Sequence, residues 1–166
     1  MEFRPYQKCG MNINFSFNNK KLECVNTFSL LGIHIDSTVN WKEHIHHISL
    51  KLSRFTYALH ELKKCTDLKT ATCAYYAYAH AWLQYGIILW GNSTDVVHLF
   101  RLQKRCLRIL VNIDDTISCK PYFIKHQILI LTSIFILQAG IFVNNNPELS
   151  PEYSHAPNLR PRRRLA

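Results

Sequence analysis

Residues 41 to 62 limit the possible folds more than any other stretch. Trp41, Ile45, Ile48, Leu52, Phe55, Leu59 and Leu62 follow one another at intervals of 4, 3, 4, 3, 4 and 3 residues. That spacing gathers seven large apolar side chains into one stripe on an α-helix of roughly six turns. So long and one-sided a helix needs a second apolar layer to cover its stripe, which predicts a domain built by helix packing. Asn40, with Glu43 three residues later, resembles a capping box at the start of the helix.

The chain before this helix has strand chemistry. Met11 to Phe17 alternates apolar and polar residues, the period of a half-buried strand. Asn18-Asn19 suits a two-residue turn, because Asn tolerates positive φ, and Leu22 to Val25 is the expected return strand. Phe28 to Ile35 reads as a third extended segment, in which Gly32 lets another backbone or a ligand come close.

The chain after it is helical. Asp67 is placed to cap a second helix that ends near Gly86, with Leu68, Ala71, Tyr75, Tyr78, Ala79 and Trp82 as its apolar positions. A third helix starts near Thr94 or Asp95 and runs to about Leu110, with Val96, Leu99, Phe100, Leu107 and Leu110 facing inward. Ser118 and Thr132 are candidate caps for two more, ending before Asn144-Asn145-Asn146-Pro147. The longest apolar run, Ile128 to Val143, is interrupted by Thr132, Ser133 and Gln138. It falls short of the roughly 20 residues that span a bilayer and is expected to be a buried helix, so no membrane partner is expected. Strands followed by helices, without strand–helix alternation, predict an α+β fold. A small antiparallel β-sheet element at 1–36 is followed by a mainly α-helical domain at 37–146. The remainder, 147–166, is expected to be a flexible basic tail.

Charge indicates the kind of partner. The 166 residues carry 20 Lys and Arg against 11 Asp and Glu, a formal net charge of +9, which favours a polyanion. Arg101, Lys104, Arg105 and Arg108 sit at i, i+3, i+4 and i+7 of the third helix, and no acidic residue lies between Val96 and Ile113. Like charges at these spacings repel, whereas a phosphate backbone alongside turns the repulsion into attraction and releases counterions. An ordinary solvated face is the competing reading. Arg160, Arg162, Arg163 and Arg164 form a second cluster, which reads equally well as a nucleic-acid arm, a localisation signal or a solvated end.

Other features point away from metal chemistry. The six cysteines (Cys9, Cys24, Cys65, Cys73, Cys106 and Cys119) include no C-x-x-C pair, so no structural zinc is expected and free thiols are. Cys65, Cys73 and Cys106 fall in helical patterns and read as small buried hydrophobes. The opening Met1 to Gly10 lacks the apolar core of a signal peptide, so an intracellular location, nucleus or cytoplasm, is expected. His44, His46 and His47 read as polar-face histidines. Asp114-Asp115 follows a basic helix within a polar connector and reads as a turn or a cap. Of the aromatics Tyr75, Tyr76, Tyr78, Trp82 and Tyr85, most are expected in the core, and Tyr76 is the one expected in solvent, where it can stack on a base.

Several stretches, taken in order, resemble one family. They are Phe28 to Asp36, Asn40 to Ile45, Tyr85 to Ser93, Phe100 to Arg105, Ser118 to Pro121 and a weaker one at His155 to Arg160. Together they are similar to the region after the palm in reverse transcriptases of jockey-type non-long-terminal-repeat retrotransposons, over roughly residues 11 to 165. The resemblance implies a primer-grip role for Leu31, Gly32 and Ile33, and a thumb made of the helices. It also makes Arg101, Lys104, Arg105 and Arg108 sequence-independent contacts to a template–primer backbone. The family's Tyr-x-Asp-Asp motif would fall upstream of residue 11. The expected chain is therefore a non-catalytic fragment of an RNA-directed DNA polymerase, with no catalytic residue, metal ligand or cofactor of its own. The Mg ions would belong to the polymerase core, a possible protein partner. A small helical protein-interaction module, or a remnant without function, is the alternative.

Overall fold

The computed structural model describes residues 16–17, 20–21 and 25–149. It is an α+β fold, with two small antiparallel hairpins before a set of packed helices. In the first hairpin β1 (Ser16–Phe17) pairs with β2 (Lys20–Lys21), in the register Ser16 to Lys21 and Phe17 to Lys20. The return strand therefore begins two residues earlier than the expected Leu22. The predicted strand at 11–15, the turn at Asn18-Asn19 and residues 22–24 lie outside the described residues.

The second hairpin corrects an expectation. Phe28 to Ile35 is not one extended segment: β3 (Thr27–Leu30) turns at Leu31-Gly32 and pairs back with β4 (Ile33–Asp36). Both turn residues have positive φ, 50° at Leu31 and 81° at Gly32, the pattern of the two-residue turns that match strand twist. Nothing lies within 4 Å of where a Gly32 side chain would be, so this glycine serves the turn rather than a close approach. Leu31 is the poorer fit, since a bulky residue with φ above zero is strained. Leu31→Asn is expected to stabilise the hairpin by about 0.5–1 kcal/mol, because Asn accepts this conformation far more readily. Urea unfolding checks it, and an unchanged or lowered midpoint goes against it.

The hairpin leads into α1 (Lys42–Cys65) through a loop organised by Asp36. Its Oδ1 accepts from the Thr38 hydroxyl (2.6 Å) and from the N–H groups of Thr38 (3.0 Å) and Asn40 (3.1 Å), and its Oδ2 from the Trp41 N–H (2.9 Å). Burial alone would raise the Asp36 pKa, but these bonds together hold it below the ordinary carboxylate value. They also fix two left-handed residues, Val39 (φ 54°) and Trp41 (φ 66°). The capping box does not form, because the Asn40 N–H that Glu43 would bind already donates to Asp36.

The α1 stripe behaves as its spacing predicts. Ile45, Ile48, Leu52, Phe55 and Leu59 are buried, and Trp41 and Leu62 pack at its ends. Asp67 caps α2 (Leu68–Tyr75), accepting from the Thr70 N–H at 3.2 Å. The helix then passes through a π turn (Tyr76–His80) into α3 (Ala81–Gln84). Its buried residues are Ala71, Tyr75, Ala79 and Leu83, and Ile87 continues the row in α4 (Ile87–Trp90). An unbroken row at i+4 drifts by about 40° per step on an α-helix, and the wider π turn sets the row back onto one face. Tyr78 consequently leaves the stripe and is 54% exposed, against expectation, and Leu68, at the start of α2, is also exposed. Gly86, at φ 62°, ends this helix where the sequence placed the stop. An added Cβ there would come within 2.8 Å of Ile33 Cδ1, so Gly86 also admits the hairpin.

α5 (Val96–Val111) lies along α1, with Leu99, Leu107 and Leu110 inward as expected. Cys106 is inward too, as expected of a small buried hydrophobe, and one inward residue was not expected, Gln103. The Gln103 Nε2 donates to the Tyr75 hydroxyl (3.0 Å) and the Leu129 carbonyl (2.8 Å), and its Oε1 accepts from the Leu131 N–H (2.9 Å). One amide thus ties α2 and α5 to the start of α7 (Leu131–Asn145), after the short α6 (Lys120–Lys125). Neither Ser118 nor Thr132 is the N-cap. Cys119 and Ile130 hold those positions, although the Ser118 hydroxyl still accepts a long bond, 3.4 Å, from the Lys120 N–H.

α7 also departs from expectation, because it is not a buried helix. Leu131 and Ile134 are its only buried residues, and Ile136, Leu137, Ile141, Phe142 and Val143 are exposed. Its first turns pack on α3, α4 and α5, and the rest continues past them. Cysteine placement is corrected in part: Cys106 is buried as expected, as is Cys119, but Cys65 and Cys73 are exposed.

Candidate nucleic-acid interface

α1 and α5 run parallel, since Lys42 to Ser49 lies beside Asp95 to Leu102 and Ser53 to Lys64 beside Arg105 to Asn112. Along one flank of this pair two hollows follow each other. The first, about 530 Å³, is lined by Lys42, His46, Ser49, His98 and Arg101. The second, about 930 Å³, is lined by Tyr57, His60, Lys64, Arg105 and Asn112 among others. From Lys42 to Lys64 the flank runs about 33 Å at the helical rise, close to one turn of a nucleic-acid duplex.

Helical phase explains why these side chains share a flank. Lys42, His46, Ser49, Ser53, Tyr57, His60 and Lys64 recur at intervals of 4, 3, 4, 4, 3 and 4, a polar stripe beside the apolar one. Sequence reasoning missed it. The signal was present in that spacing, but only the packing of α5 shows that the stripe faces Arg101 and Arg105. Tyr57, 72% exposed, is the aromatic in the groove.

The four cations of α5 divide by role. Arg101 and Arg105 are exposed and open to the groove. Lys104 leans the other way, with its Nζ 4.9 Å from the Phe100 ring centroid. Arg108 is engaged with the following connector. Its Nη2 donates to the carbonyls of Asp115 (3.0 Å) and Ile117 (3.4 Å), while its Nε lies 3.5 Å from the Asp115 carboxylate, outside hydrogen-bond geometry. The connector contains Asp114-Asp115 as an exposed turn, in which the Ile117 N–H donates to the Asp114 carbonyl. Six Lys and Arg line the two hollows against four carboxylates, and Glu61 and Asp115 among the latter already face Lys64 and Arg108. The Lys64 hydrogen bond, with a smaller one from His60, holds the Glu61 pKa below its ordinary value. Being exposed, that pair leaves Lys64 free to exchange partners.

The hairpin residues are also separated. Leu31 exposes its side chain at the tip while its carbonyl accepts from the Tyr85 hydroxyl at 2.7 Å. Gly32 completes the turn, and Ile33 packs towards Gly86. Arg160, Arg162, Arg163 and Arg164 lie outside the described residues.

The histidines are regrouped by the fold. His46 is exposed and His47 half-buried, but His44 is buried and not on a polar face. His34 of β4 completes a cluster, its ring centroid 4.5 Å from that of His47 and 6.1 Å from that of His44. The His34 N–H donates to His44 Nδ1 at 3.4 Å, so that nitrogen must be unprotonated. Burial, with His34, His47 and Lys51 nearby, pushes the His44 pKa down to about 4. Burial, followed by Lys51, His34, Arg54 and His46, lowers that of His47 too. A histidine kept neutral in the fold takes up its proton only on unfolding. Stability is therefore expected to fall as pH drops from about 6.5 towards about 4, by up to about 3 kcal/mol from His44. Urea unfolding at pH 7 and pH 5 measures this, and His44→Leu should flatten the difference; an equal slope in both proteins contradicts it. Among the described residues no group of three His, Cys, Asp or Glu is placed to hold a metal ion. No helix among them is long and apolar enough to cross a membrane.

No protein-family model, curated protein or solved structure matches the chain.

Proposed function

We propose that this chain grips the sugar–phosphate backbone of a nucleic-acid duplex in the groove between α1 and α5, without reading sequence. The observation that carries the proposal is Arg101 and Arg105 facing Lys42, Lys64 and Tyr57 across a groove about one duplex turn long. Taken with the motif resemblance, this makes the chain a thumb-like piece of a retrotransposon reverse transcriptase. In that reading it holds a template–primer hybrid, its hairpin tip at Leu31-Gly32 meets the primer end, and it adds no nucleotides itself. Binding to a labelled RNA–DNA hybrid, titrated with salt, tests the function: affinity should fall linearly on a log–log plot with a slope of several units. A folded chain that does not bind, or binds without salt dependence, overturns it.

A second reading is favoured by α7. Its sequence has no charged residue and its outer half exposes five large apolar side chains, more than a monomer usually leaves uncovered in one place. Association through that helix with a protein, including a polymerase core, would persist at high salt.

A further inference from the structure

On the opposite flank of α1 the structure assembles a second surface. Phe55, Tyr78 and Trp82 touch one another, with ring centroids 5.7 Å (Phe55–Tyr78), 6.2 Å (Phe55–Trp82) and 5.9 Å (Tyr78–Trp82) apart. Lys51 Nζ lies 5.8 Å from the Trp82 ring centroid, and Arg54 joins it at the edge of the same hollow of about 550 Å³, whose lining contains no carboxylate. Phe55 belongs to the core, but Tyr78 does not: the π turn that keeps Ala79 and Leu83 buried carries Tyr78 outward, 54% exposed, onto the other two rings. π turns are frequent at functional sites.

We infer that this cluster is a stacking platform for an unpaired nucleotide, with Lys51 and Arg54 holding the flanking phosphates. The inference rests on the nucleic-acid reading above and adds a single-strand site to it. Three lines of chemistry favour that ligand. An exposed aromatic face accepts any base, but only one that is unstacked, as in a single strand. The two cations and the lack of carboxylates select an anionic ligand and disfavour the cationic ligands that aromatic cages otherwise take. The platform is on the other flank from the duplex groove, so one chain can hold a duplex and the single strand that leaves it.

The test uses the full chain and two labelled probes, a short oligo(dT) strand and the RNA–DNA hybrid. Tyr78→Ala is expected to weaken binding of the single strand about tenfold, by the same factor at low and moderate salt, and to leave hybrid affinity unchanged. Tyr78→Phe keeps the ring and should restore single-strand affinity, while Lys51→Gln with Arg54→Gln should reduce its salt slope. Tyr78 is exposed, so circular dichroism should be unaltered. Single-strand binding that is indifferent to Tyr78→Ala, while hybrid binding still depends on Arg101 and Arg105, overturns this inference and leaves the groove standing. Failure to bind either probe overturns both.

Discussion

Changing Arg101, Arg105 and Lys64 together to Gln should weaken binding to an RNA–DNA hybrid by on the order of 100-fold at low salt. It should also lower the log–log salt slope by about 2 to 3. Arg105 and Lys64 are the exposed cations of the second hollow, and Arg101 is an exposed cation of the first. Each cation withdrawn from a phosphate leaves about one counterion unreleased, so slope and affinity must change together. Arg108→Gln should have a smaller effect, because its guanidinium already bonds the Asp115 and Ile117 carbonyls. Lys104→Gln should also be mild, because its ammonium lies over Phe100 on the far side. A triple variant that keeps the wild-type slope while remaining folded would place the nucleic acid elsewhere.

The largest stability effect is expected at Gln103. Gln103→Leu preserves volume but leaves three groups without partners: the Tyr75 hydroxyl, the Leu129 carbonyl and the Leu131 N–H. Gln103 is fully buried, and water cannot replace the missing bonds cheaply. A loss of about 3–5 kcal/mol follows, a large part of a normal domain's stability. The melting temperature should drop by about 10 °C in a chain of this size. Tyr75→Phe removes one bond of the three and should cost only about 1 kcal/mol. Equal losses in the two variants would show that Gln103 is not a hub, and thermal unfolding distinguishes the cases.

The elements whose sequence signals are local and repeated were legible. The 4-3 spacing over Trp41 to Leu62 defined α1 to within a few residues, and Asp67 and Gly86 marked the ends of the next helical stretch because a cap and a left-handed stop are short-range devices. The failures have two causes, an uncommon local signal or a dependence on something distant. A Leu-Gly pair is an unusual hairpin turn, so Phe28 to Ile35 read as one strand. The π turn shows only as a row at i+4 running longer than an α-helix allows, which displaced Tyr78 from its assigned face. Gln103 on an apolar stripe resembles noise until Leu129 and Leu131 arrive from a distant loop. The predominantly apolar composition of α7 suggested burial, but the described fold covers only its first turns.

The candidate site was half legible. The α5 cations were evident from spacing, whereas their division between the groove, Phe100 and the connector depends on what packs on either side. The α1 half of the groove was visible as a polar stripe, but had no meaning without its partner helix.

The most direct test of the central claim is lysine footprinting of the chain with and without a saturating RNA–DNA hybrid, reading acetylation at each lysine by mass spectrometry. The groove predicts protection of Lys42, Lys63 and Lys64, with Lys69 and Lys125, away from the groove on α2 and α6, labelled as in the free chain. Protection at Lys69 and Lys125 with none at Lys42, Lys63 and Lys64 would contradict it.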